Sequence, residues 1–190
     1  SWASASPAQA LASVLCPQPS HRGRPSDMIA AMSIGVALHM GLSRVEMERI
    51  RIAALLHDLG KLALPDAILD KPSSLTELEW QVVGEHPRIG QVILEQATSM
   101  RDAVPIVLHH HERYDGTGYP HGLKGEEIPL GARIVAVADA YHAMVHERPY
   151  KSALSHSKAL AELRRHASTQ FDPTVVDRWI TVSDRDSFLM

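Results

Sequence analysis

Six side chains with nitrogen or oxygen donors punctuate this chain: His57, Asp58, His86, His110, His111 and Asp139. Neutral imidazoles are natural metal ligands. Mixed imidazole and carboxylate sets suit Fe, Mn, Ni, Co or Zn, and the absence of paired thiolates argues against a structural zinc site of the Cys-rich kind. A carboxylate such as Asp58 can bridge two ions. Two ions about 3.5–4 Å apart can stabilise an in-line displacement at phosphorus. His110-His111 also runs into a loop, Glu112 to Pro120, that carries Gly116 and Gly118 and ends in Tyr119-Pro120. Glycines let backbone approach a ligand closely, and the tyrosine offers a flat ring and a hydroxyl. Each donor taken alone has a plainer reading. His57-Asp58 could make helix-terminal caps, a lone histidine is more often a surface or satisfied core residue, and Asp139 could pair with Arg133.

The elements that must position these donors read as helices. Pro25 suits a first turn, and Ile29, Met32, Val36 and Met40 recur on one helical face before Gly41. Ser43 with Glu46 forms a capping box. The helix it opens becomes apolar nearly all round, from Ile50 to Leu56, and delivers His57-Asp58 with Gly60 as its stop. A further turn is expected at Asp66–Leu69. Thr76 with Glu79 forms a second capping box. Pro87 can open the next helix, with Ile89, Val92, Ile93 and Ala97 as its stripe. A helix from about Arg101 carries Val104, Val107 and Leu108 into His109-His110-His111. Residues 112–129 lack a helical period, and an ordered irregular stretch of that length inside a domain is usually functional. Leu130 to Val145 is helical again, with Ile134, Val135, Ala138 and Tyr141 inward and Asp139 beside them. Ser155–Ala167 and Pro173–Ile180 complete an all-α chain. The least regular part is 1–24, where Pro7–Leu15 could form a short helix before Cys16-Pro17.

Bulk properties narrow the field. The 190 residues suit one domain, with 45% hydrophobic and 22% charged residues. Aromatics are only 5%, so the core must be aliphatic, which favours packed helices over a sandwich. A net charge of −3 argues against a DNA or RNA polymer as partner, while a small phosphorylated ligand needs only local cations. The single cysteine, Cys16, gives no hint of an oxidising compartment. No apolar run approaches the ~20 residues of a membrane span. The expected location is cytoplasmic. The first residue is not Met, which is expected of a domain cut from a longer protein.

Taken in order and spacing, His57-Asp58-Leu59-Gly60-Lys61, His86, His110 through Pro120, Gly122-Leu123-Lys124-Gly125, Ile128-Pro129, Asp139 and Arg148-Pro149-Tyr150 resemble the HD-GYP family. The resemblance implies an HD-type helical bundle with a long ordered Gly-Tyr-Pro loop. Its expected organisation is a lead-in or linker at 1–24, an HD-GYP domain at 25–180 and a tail at 181–190. It implies a metal-dependent phosphodiesterase that opens cyclic di-GMP to pGpG or GMP, with His57, Asp58, His86, His110, His111 and Asp139 as metal ligands. Asp58 and Lys61 would be catalytic, with Lys61 on the scissile phosphate. Tyr119, Arg148 and Lys151 would contact the ligand. Divalent transition metals, two in number, are the implied cofactors. Signalling proteins docking on the Gly-Tyr-Pro loop and a homodimer are further expectations.

Three departures from the family pattern stand out. Pro25 occupies the position of a usual histidine ligand, His21 stands where some members carry a glutamate, and His142 replaces an aspartate. Proline offers no side-chain donor, so a trinuclear site is disfavoured, although His21, in the loop before the helix, could compensate. These departures keep an alternative open: a degenerate module that binds cyclic di-GMP or a partner protein without hydrolysis.

Overall fold

Helix starts follow side-chain chemistry in the computed structural model, which describes residues 25–147 and 152–185. The readings placed on Pro7–Leu15, His21, Arg148 and Lys151 lie outside the described residues. Helix α1 spans Pro25–His39. Helix α2 spans Arg44–Leu56 behind the capping box, in which Glu46 Oε2 accepts the Ser43 N–H at 2.8 Å and Ser43 Oγ accepts the Glu46 N–H at 3.3 Å. A single turn, α3, spans Asp66–Leu69. The second capping box opens α4, Glu77–Gly84. Then come α5, His86–Glu95, and α6, Val104–His109. Helix α7 spans Leu130–Val145, as its periodicity predicts. Helix α8, His156–Arg165, is capped by Ser155, and α9 runs Pro173–Arg185, further than the expected stop at Ile180. Among the described residues there is no strand, only one isolated bridge between Ala167 and Phe171.

Helix α1 is apolar on more than one face because it is packed on more than one side: α2, α7 and α9 all contact it. Its buried set, Ile29, Ala30, Met32, Val36 and Ala37, meets Ala53, Ala54 and Leu56 of α2 and Ile134, Val135 and Ala138 of α7 in one core cluster. Fully buried aliphatic side chains such as Leu56 and Val107 each contribute roughly 1.5–3 kcal/mol of burial. This core fixes the ends of α2 and α6 relative to α7.

One boundary departs from expectation. Helix α2 ends at Leu56, and Leu59–Ala63 form a 3-10 turn, so Gly60 is not a helix stop. The turn packs on α5. A Cβ on Gly60 would lie 1.9 Å from the His86 carbonyl oxygen and 2.8 Å from the Gly90 nitrogen. Glycine is required there because two backbones touch. A second 3-10 turn, Thr98–Ala103, leads into α6.

The long loop after His111 is ordered by its own turns. Asp115 Oδ1 accepts from the Thr117 N–H and hydroxyl at 3.0 and 2.6 Å. Gly118 passes so close to the chain that a Cβ would sit 2.3 Å from the Arg113 nitrogen. The Tyr119–Pro120 peptide bond is cis, and Arg88 of α5 donates to the Pro120 carbonyl at 3.0 Å.

Candidate metal centre

Three of the expected histidines share one local device. The last carbonyls of a helix have no intrahelical donor. His57 Nδ1 donates to Ala54 O at 2.8 Å, His86 Nδ1 to Val83 O at 2.7 Å, and His110 Nδ1 to Val107 O at 2.6 Å. Each ring follows the helix it caps and satisfies a carbonyl three residues back. A carbonyl can only accept, so Nδ1 carries the proton and Nε2 presents a lone pair. The hydrogen bond thereby fixes both the tautomer and the aim of the ring, as for metal-ligating histidines.

Two of those lone pairs, at His86 and His110, converge, while His57 and Asp139 stand outside the tight group. Asp58, His86, His110 and His111 each offer a ligand atom, all within 4.8 Å of one another. His57 Nε2 lies 3.5 Å from Asp58 Oδ2 and 3.9 Å from Asp139 Oδ1, and His86 Nε2 lies 3.5 Å from Asp58 Oδ1. The rings of His57 and His110, and of His86 and His110, meet edge to face at 5.3 and 5.4 Å. His86 and His110 are 1% and 2% exposed, and the Nε2 atom of each has no hydrogen-bond partner among the described residues. A buried polar atom without a partner costs on the order of 1–3 kcal/mol. Two such atoms aimed at one point, beside a carboxylate, fit a divalent cation.

The electrostatics agree. Burial alone would raise the Asp58 carboxyl, but the charges of His57 and Lys61 and the hydrogen bond from Lys61 outweigh it and hold the group well below the usual carboxylate range. Burial, reinforced by His86, lowers His111 to about 3. Burial lowers His86, and burial with the neighbouring imidazoles lowers His110 well below the ordinary range. At neutral pH the centre therefore presents an anion at Asp58 and neutral imidazoles at His86, His110 and His111, which is the protonation state that metal binding requires.

Two further expected residues touch this centre. Lys61 Nζ donates to Asp58 Oδ2 at 2.8 Å. Tyr119 stacks on His111, with ring centroids 5.0 Å apart at 26°, and burial, with the Asp58 and Asp139 charges, pushes its hydroxyl up to about 12. Pro25 is exposed at the first position of α1. Asp139 does not pair with Arg133, which instead bonds Asp172 from α7 toward α9. His142 is buried and its ring stacks on His146 at 3.9 Å. Two residues escaped the sequence reading: Arg88, which ties α5 to the loop, and Glu112. The buried Glu112 carboxylate accepts the N–H groups of His121 and Leu123 at 2.8 and 3.2 Å. Only its place inside an irregular glycine-rich stretch hinted at a loop-holding role.

A bundle of short helices whose ends aim imidazoles and carboxylates at one point is the architecture of an HD-type metal centre. The chain belongs to the HD domain family, whose pattern matches residues 9–175, and it carries the HD-GYP signature. It is 51% identical over 144 residues to the cyclic di-GMP phosphodiesterase response regulator RpfG of Xanthomonas campestris pv. campestris, a match that covers 75% of this chain and 38% of that relative. It is 40% identical over 148 residues to the 3'3'-cGAMP-specific phosphodiesterase 3 of Vibrio cholerae, covering 78% of this chain and 32% of that protein. The chain thus spans about a third to two fifths of the length of these curated relatives. Its fold matches the crystal structure of the V. cholerae cyclic GMP-AMP phosphodiesterase V-cGAP3 with a TM-score of 0.71 at 18% identity, over 95% of this chain and 48% of that one. No helix among the described residues is long and apolar enough to cross a membrane.

Proposed function

We propose that this chain is a metal-dependent phosphodiesterase domain that hydrolyses cyclic di-GMP to pGpG or GMP. The observation that carries the reading is the convergence of Asp58, His86, His110 and His111, with two buried Nε2 atoms that have no partner among the described residues. His57, Asp58, His86, His110, His111 and Asp139 would hold divalent ions, two in number, drawn from Fe, Mn, Ni, Co or Zn. When bound, such ions lower the pKa of water and polarise phosphoryl oxygens.

The chain's own residues supply the rest. The Nδ1–H bonds to backbone keep the ring nitrogens aimed without reorganisation. Asp58 stays anionic and orients the Lys61 ammonium at the mouth of the centre. A phosphodiester seated there would meet Lys61, which can stabilise developing charge on a phosphoryl oxygen. Tyr119 remains a neutral phenol at physiological pH, so it can donate a hydrogen bond and offer its ring as a wall for a base. Arg148 and Lys151 would grip phosphate or guanine. Because the expected substrate is an internal bacterial messenger, we place the protein in the cytoplasm, where a homodimer and signalling partners at the Gly-Tyr-Pro loop fit the same role.

A second reading rests on Pro25, which offers no side-chain donor where the family pattern has a histidine. In that reading the domain binds cyclic di-GMP, or a partner protein, and signals without cleavage. Metal content of anaerobically purified protein, measured beside turnover of cyclic di-GMP and 3'3'-cGAMP, tests both readings. Turnover with metal bound supports the enzyme. Metal and nucleotide binding without turnover supports the binder and overturns the enzyme.

A further inference from the structure

A second group of donors lies on the other side of the His109–His111 run. His109, Glu112 and His121 each offer a ligand atom, all within 4.8 Å of one another. The Glu112 side chain is 0% exposed. Its two oxygens accept backbone N–H groups from His121 and Leu123. Among the described residues no lysine or arginine pairs with it, and its one ionisable partner is the His109 ring. A buried carboxylate without a cationic partner is costly. The His109 and His121 rings approach to 5.2 Å at 51°, so two imidazoles flank the carboxylate.

We propose that His109, Glu112 and His121 form a divalent transition-metal site of their own, separate from the centre at Asp58. The donor set, two imidazoles and one carboxylate, is that of a tetrahedral zinc-type ion with one open position. In such a site, with bonds of about 2.0–2.1 Å, neighbouring ligand atoms lie ~3.3 Å apart. His109 Nδ1 and Glu112 Oε1 are 3.4 Å apart, long for a hydrogen bond but right for two ligands of one ion. His121 is exposed, which gives the ion an entry path and the ring freedom to close on it. The consequence is structural. His109 ends α6 and His121 follows Pro120 directly, so the ion pins the loop base to the helix that leads into His110. It acts as a clamp on the wall in which Tyr119 stacks on His111.

The test counts ions and watches the loop. Wild-type chain, His121→Gln, His121→Cys and Asp58→Ala are equilibrated with Zn2+, and bound metal is measured by mass spectrometry. Amide hydrogen exchange across residues 112–124 is followed with and without Zn2+. The expected result is one ion fewer per chain in His121→Gln and restoration in His121→Cys, which keeps a ligand. Zn2+-dependent slowing of loop exchange should appear in wild type and Asp58→Ala but not in His121→Gln. Equal ion counts in wild type and His121→Gln, or loop slowing that survives in His121→Gln and vanishes in Asp58→Ala, would overturn the proposal. Neither readout depends on turnover, so a failure here is distinct from a failure of the phosphodiesterase reading.

Discussion

Substituting Gly60 with alanine should damage the metal centre through the backbone rather than through a ligand. The added Cβ would meet the His86 carbonyl oxygen at 1.9 Å, whereas real Cβ contacts essentially begin at 3.0 Å. The two segments must therefore separate by about 1 Å, because the atoms met are backbone and not the flexible end of a side chain. Overpacking of this kind costs ~1–3 kcal/mol, which for a chain of this size lowers Tm by roughly 2–12 °C. His86 Nε2 moves with its backbone, and losing the support that orients a ligand costs roughly 10–100-fold in metal affinity. The assay is paired: Tm by calorimetry, and metal affinity by competition with a chromophoric chelator, each in Gly60→Ala and in Gly41→Ala. Gly41 has a φ of +76° with nothing within 4 Å of a built Cβ. Its alanine should cost ~1–2 kcal/mol from left-handed strain and leave metal affinity unchanged. A Gly60→Ala chain that binds metal as tightly as wild type would refute the claim that this contact sets His86.

Other outcomes follow from the same geometry. Replacing His110 with alanine removes a buried donor and orphans the Val107 carbonyl; bound metal should fall at the main centre and stability by roughly 2–4 kcal/mol, read by metal analysis and urea titration. In metal-free protein, stability should decline as pH drops. The unfolded chain takes up histidine protons near pH 6.5, while folded His111 resists until about 3 and His86 and His110 are lowered too. The contribution of these neutral imidazoles is complete above the unfolded value and drains away toward the folded ones. A urea midpoint at pH 5 equal to that at pH 7.5 would contradict this. Asp172→Ala leaves Arg133, 14% exposed at its side chain, without its buried partner and removes the acceptor of the Thr174 N–H at 2.7 Å; stability should fall by about 3–5 kcal/mol with metal affinity unchanged, by the same two assays.

Much of the site was legible in the sequence because its supports are local. The capping boxes at Ser43 and Thr76, the prolines at 25 and 87, and the periodicity of Leu130–Val145 each name a helix start from chemistry within one turn. The imidazole caps are local too: His57, His86 and His110 each bond a carbonyl three residues back. What escaped depends on contacts far apart in the chain. Gly60 looked like a helix stop, yet it is glycine because the backbone at His86 touches it. Arg133 was weighed against Asp139, six positions away, but its partner is Asp172 across the α7–α9 contact. Glu112 holds N–H groups nine and eleven residues ahead of it, and no short-range pattern encodes that reach.

The central claim is that the centre formed by Asp58, His86, His110 and His111 cleaves a cyclic dinucleotide with metal bound. The most direct measurement is product formation from cyclic di-GMP by anaerobically purified protein, followed chromatographically with Mn2+ or Fe2+ present, after chelation, and in His110→Ala. The account predicts pGpG or GMP in the first condition and none in the other two. Metal-loaded wild type that binds the nucleotide but yields no product would contradict it, as would turnover that survives chelation or the loss of His110.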